Sequence, residues 1–202
     1  MENPVNKNRL EAFSDGVLAI VITIMVLELR VPREPTWQSL LDVLPTFLSY
    51  LLSFVYVGIY WNNHHHMMHL VDRVNGRILW ANLHLLFWLS LFPFSTHWMD
   101  ESGFVQIPVV VYGINLFCAS IAYFILQQAL IRNQGRDGAL SQAVGRDWKG
   151  KASPLIYLTG LALSLVHPLL GVAVYTAVAL IWLVPDRRVE HFVTRGYQDS
   201  PS

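Results

Sequence analysis

Charge is what this sequence is short of. Lys, Arg, Asp and Glu make up only 14% of its 202 residues, and the formal net charge is zero. A soluble domain ordinarily has about a quarter of its residues charged, so the composition argues against a water-facing globule. A nucleic-acid partner requires an excess of Lys and Arg on one surface, and the balance here provides none. Cysteine is almost absent: Cys118 stands alone in an apolar run, which excludes an internal disulfide and reads as a small core residue. No phosphate-binding glycine loop, nucleophile–base constellation or pair of inward carboxylates suggests an enzyme. No nucleotide, metal or redox cofactor is expected. The opening MENPVNKNRLEAF lacks the charged, apolar, small-residue order of a cleaved signal, so the first span is expected to stay in the mature protein.

What is present is apolar. Hydrophobic residues make up 53% of the chain and the mean hydropathy is +0.39. Long uncharged runs alternate with short charged clusters, the pattern of a polytopic helical protein whose first partner is the lipid bilayer. The expected spans begin with about 8–29, which Pro32 and Pro35 end. The next is about 40–64, with Trp37 and Trp61 as interfacial anchors. Span three, about 78–98, holds Asn82, His84 and a kinking Pro93, and 104–131 has no charged residue in 28 positions. Residues 154–184 form an uncharged run of 31, roughly 46 Å as one helix, too long for one span and slightly short for two. His167-Pro168 lies near its middle, and the residue before proline is biased away from helix. A hairpin of two short spans, 154–166 and 168–184, is expected.

The expected fold is therefore an all-α membrane protein with six transmembrane helices in a single unit, 1–202. The polar, basic stretch 132–153 is expected as a cytoplasmic loop near anionic head groups, and 186–202 as a cytoplasmic tail. With both termini cytoplasmic, twelve basic residues lie inside and only Arg30 and Arg33 outside, a strong positive-inside asymmetry.

The first helix, RLEAFSDGVLAIVITIMVLEL, organises the rest. Between Gly16 and Leu27 only Thr23 is polar, so Asp15 and Glu28 sit roughly 20 Å apart along it, inside a hydrocarbon core about 30 Å thick. Charges at that depth face protein or a water-filled cavity. At 100° per residue Phe13, Gly16, Ile20, Ile24 and Leu27 share one face, with Thr23 to its side. Glu11, Asp15, Leu18, Ile22 and Leu29 are expected on the opposite one. An apolar stripe on a membrane helix is ordinarily packing. The alternative is an aqueous pathway: if several subunits set this face on a common axis, Ile20, Ile24 and Leu27 become stacked apolar rings that gate by dewetting.

The segment Arg9-Leu10-Glu11-Ala12-Phe13-Ser14-Asp15 resembles the R-x-x-x-F-S-D signature opening the first helix of the transmembrane-protein-175 family, potassium channels of endolysosomes and prokaryotes. The likeness continues through GVLAIVITIMVLEL, Trp61-Asn62-Asn63-His64-His65 and Leu91-Phe92-Pro93-Phe94-Ser95-Thr96. It implies a homotetramer in a prokaryotic inner membrane, with the first helix lining a central pore and potassium among the permeant monovalent cations. It implies a constriction at Ile20, Ile24 and Leu27 beside a polar ring of Thr23. No T-V-G-Y-G loop is present, and Val111-Tyr112-Gly113 is a chance fragment, so no carbonyl filter is expected. The motif Arg9, Phe13, Ser14 and Asp15 is by the same resemblance structural. Ser14 and Asp15 should hydrogen-bond to candidates among Trp61, His64, Asn82 and His84. Arg9 is left between Glu11, a neighbouring subunit and the vestibule.

Other residues carry weaker signals. His64, His65, His66 and His69 suggest a metal tract, but no cysteine is near and the nearest carboxylate is Asp72; interfacial histidines, or a pH sensor, are the better readings. Asp100 and Glu101 read as loop solvation, Glu28 as a vestibule charge, and Gly16 as a helix-packing residue. The alternative function is a secondary transporter or proton-conducting pathway using Asp15 and the histidines, made less attractive by the lack of an inverted repeat. A non-conducting scaffold is the third.

Overall fold

Asn6 opens the first helix by accepting a hydrogen bond from the Asn8 amide, an N-cap arrangement. The computed structural model describes residues 6–71, 73–135, 138–144 and 148–183. Their regular structure is helical: α1 Lys7–Leu27, α2 Trp37–Asp42, α3 Leu44–His69, α4 Gly76–Ser90, α5 Phe92–Glu101, α6 Gln106–Gln134, α7 Ala139–Val144, α8 Trp148–Val166 and α9 Pro168–Leu183. Among the described residues, four stretches are long and apolar enough to cross a membrane: α1, α3, the run Gly76–Glu101 formed by α4 and α5, and α6. The apolar parts of α8 and α9, Ala152–Val166 and Pro168–Leu183, are shorter; α9 is about 24 Å long.

The helices differ from expectation at identifiable points. The kink expected at Pro93 in span three is a full break at Leu91, because Pro93 supplies no amide hydrogen and its ring crowds the carbonyl four residues back. Residues 132–153 are not all loop. The good helix formers of ALSQAV make α7, and α8 starts at Trp148 with Pro154 inside it. Trp37 belongs to a short separate helix, α2, capped by Thr36, whose side chain accepts from the Ser39 amide. Asp72, Arg136, Arg146 and the tail 186–202 lie outside the described residues.

The break at His167 does form a hairpin. Trp182 Nε1 donates to Ser153 Oγ (2.9 Å), the Tyr175 ring lies on Gly160, and Ser164 meets Gly171, so α8 and α9 run antiparallel. α1 packs on α3, α4 and α5; α6 lies behind α4 and α5, and the hairpin packs on α6 with α9 against α3. Tyr56, Tyr112, Tyr175 and Phe92 are the largest side chains fully enclosed at the centre.

Candidate functional site

Burial divides α1 into two faces. Leu10, Ser14, Leu18, Val21 and Met25 are buried against the other helices. Arg9, Phe13, Gly16, Ile20, Thr23, Ile24 and Leu27 are exposed, with Ile20 at 59%, Ile24 at 42% and Leu27 at 81%. Leu18 alone of the five residues expected inside is buried, and Asp15 is exposed. The inward face is turned about 70° from the expected one. Among the described residues no heavy atom of another element lies within 4 Å of where a Gly16 side chain would be, so it packs against none of the described helices.

Behind the bare face lies a chain of buried polar groups. Ser14 Oγ donates to the Leu10 carbonyl (2.9 Å), and Asn82 Nδ2 donates to Ser14 Oγ (2.9 Å). That leaves Asn82 Oδ1 as acceptor for His64 Nε2 (2.8 Å), which fixes the proton of a neutral His64 on Nε2. Ser14 and Asn82 are fully enclosed and His64 is 2% exposed, so each bond is made where an unpaired group would be costly. At the edge of this network Trp61 Nε1 donates to Asp15 Oδ1 (3.0 Å). His84 is not in it. It lies on the exposed side of α4 and accepts from Trp88 Nε1 (3.0 Å) one turn along. Glu11 pairs with Lys7 at 3.9 Å, and Arg9 has no partner among the described residues.

The other end of α1 is tied to α5. His97 Nδ1 lies 3.3 Å from Glu28 Oε2, and Arg30 is paired with Glu101, so Glu28 and Glu101 both have partners. A second buried cluster holds α5 against α3 and α6. Ser53 Oγ bonds Thr96 Oγ1 (2.7 Å) and Tyr112 Oη (3.0 Å), and Asn115 Nδ2 donates to Ser95 Oγ (3.2 Å). The sequence singles out neither Ser53, Asn115 nor His97 and offers Tyr112 only as part of a chance fragment, although polar side chains inside apolar helices are signals in their own right. Trp61, His65 and His69 stack in a column along α3. Among the described residues no group of three His, Cys, Asp or Glu is placed to hold a metal ion.

Thr23 contributes a distinct chemistry to the bare face. Its hydroxyl donates to the Ile20 carbonyl (2.9 Å), which leaves the oxygen as an acceptor.

Residues 9–93 match the family profile described as "Endosomal/lysosomal potassium channel TMEM175". A protein of Chryseobacterium sp. named as a potassium channel is 55% identical over 186 residues, covering 92% of this chain and 97% of its own length. One from Chamaesiphon minutus, also named as a potassium channel, is 32% identical over 85% of this chain and 91% of itself. The crystal structure of a lysosomal potassium-selective channel TMEM175 homolog from that organism superposes with a TM-score of 0.75 at 30% identity, covering 88% of this chain and 96% of that one.

Proposed function

The chain belongs to the TMEM175 family, a family of ion channels and not of enzymes, and on that premise we propose a potassium-permeable cation channel built from four copies around α1. The observation that carries the reading is the face of α1 left bare by its own subunit: Ile20, Ile24 and Leu27, exposed although apolar, beside Thr23. Around a shared axis these become three apolar rings over about 10 Å. Water leaves so narrow an apolar waist, and a small side-chain rotation that widens it admits water and ions. Thr23, with its hydrogen committed to the backbone, offers an oxygen acceptor beside the apolar rings and replaces part of a cation's hydration shell. Selectivity without a carbonyl filter is accordingly modest. Six spans (α1, α3, α4 with α5, α6, α8 and α9) put both termini in the cytoplasm of a prokaryote, consistent with the basic residues placed there. The permeant ion needs no cofactor. The donor chain from His64 ends on a backbone carbonyl, which favours a structural role for these groups over a proton relay.

The test is flux from vesicles holding the purified protein under a potassium gradient. Uncoupled passage of many ions per second, with potassium preferred over sodium, is the expected result. Saturable exchange coupled to protons would instead establish the transporter built on Asp15 and the histidines.

A further inference from the structure

Two helices flank α1, and each leaves bare a seam of similar spacing. On α3, Phe47, Leu51, Phe54, Gly58, Trp61 and His65 follow one another at alternating steps of four and three, all exposed except the half-buried Gly58. On α4 and α5 the exposed Trp80, Leu83, Phe87, Ser90, Phe94 and Trp98 continue such steps through the break at Leu91. Steps of three and four mark one face of any helix, and a face so spaced can interlock with a second helix. Each seam carries one small residue of the kind that lets membrane helices approach closely. Among the described residues, a side chain at Gly58 would meet no heavy atom of another element within 4 Å, so no contact among them accounts for the glycine.

The seams lie on opposite sides of α1. Trp61 of α3 reaches Asp15, whereas His97 of α5 reaches Glu28; these two carboxylates leave the helix about 140° apart. We infer that the α3 seam of one subunit packs against the α4–α5 seam of the next, an inference that rests on the ring proposed above. Rotation about an axis normal to the membrane leaves every residue at its own depth, so contacts within one subunit set the register between two. His64 beside Asn82 and Ser53 beside Thr96 show that depth runs oppositely along the two helices. Interpolation puts Gly58 opposite Ser90, Phe54 opposite Phe94, Leu51 opposite Trp98 and His65 opposite Trp80. The two smallest residues meet at one depth, and large ones meet on either side. His84 also arrives near the depth of the neighbour's Asp15, whose Oδ2 has no partner among the described residues. That explains a polar side chain on an outer face.

The experiment uses the full chain in membrane vesicles, with Cys118→Ser as background. Gly58→Cys combined with Ser90→Cys is oxidised by molecular oxygen with copper–phenanthroline as catalyst. The expected result is a ladder of bands up to four chain masses, at least tenfold stronger than from either cysteine alone. Gly58→Leu should keep helix content and thermal unfolding of the subunit while the oligomer dissociates in native mass spectrometry. An intact, conducting tetramer that gives no 58–90 ladder overturns the packing and leaves the channel standing. A ladder from Leu158→Cys with Leu180→Cys, on the outer hairpin, in its place does the same. A wild-type protein that is monomeric and passes no ions removes the channel reading itself and the packing with it.

Discussion

Asn82 of α4 donates to Ser14 of α1 at 2.9 Å, and both side chains are fully enclosed. The bond holds the back of the first helix while its front stays bare. It is the middle link between His64 and the Leu10 carbonyl, so its loss strands groups on both sides.

Asn82→Leu should therefore destabilise the protein by about 1–3 kcal/mol, the cost of leaving buried polar groups unpaired. Denaturant unfolding in detergent micelles measures it. Ser14→Ala combined with Asn82→Leu should cost less than the sum of the two, because both break one chain. The potassium-to-sodium permeability ratio should not move, since neither residue faces the proposed path.

Ile20→Asn should raise resting conductance severalfold. An amide at the first of the three apolar rings holds water there and lowers the dewetting barrier. Single-channel recording decides the matter, and an unaltered conductance would return the Ile20–Leu27 face to ordinary packing.

Thr23→Val should lower the preference for potassium, because it replaces the oxygen acceptor by a methyl group of nearly the same shape. Thr23→Ser keeps the oxygen and should keep the preference. Reversal potentials under bi-ionic conditions separate the two variants, and equal values for Val and Ser would remove Thr23 from the pathway.

Gly113→Ala should cost about 1–3 kcal/mol by overpacking. A Cβ there would lie 2.0 Å from the Tyr175 hydroxyl and 2.8 Å from a Leu161 methyl. Gly16→Ala meets no such obstacle and should leave subunit stability nearly unchanged or slightly improved by helix propensity. Thermal melts of the two variants, side by side, provide the comparison.

The Val111-Tyr112-Gly113 fragment shows how function and packing part company. It has no filter role in the sequence reading, yet Tyr112 binds Ser53 and Gly113 makes room for Tyr175. Neither contact is visible locally, because each depends on which helix lies opposite. The α1 motif was legible in kind. Ser14 needed a buried partner, and Asn82 with His64 stood among four candidates. Only the packing separated Asn82 from His84, two residues along the same helix and facing outward.

Composition and helical period by themselves determined the apolar stretches, the hairpin break before Pro168 and the interruption near Pro93. They also set Ile20, Ile24 and Leu27 on one line, because these properties depend only on residues close in the chain. The tertiary structure decided how far α1 is rotated, which polar groups meet behind it and which aromatic faces remain uncovered. The physical reason is that lipid and a helix interior are equally apolar. Apolar side chains therefore mark no inside on a membrane helix; its few polar groups point inward, and the neighbours it packs against define the rest.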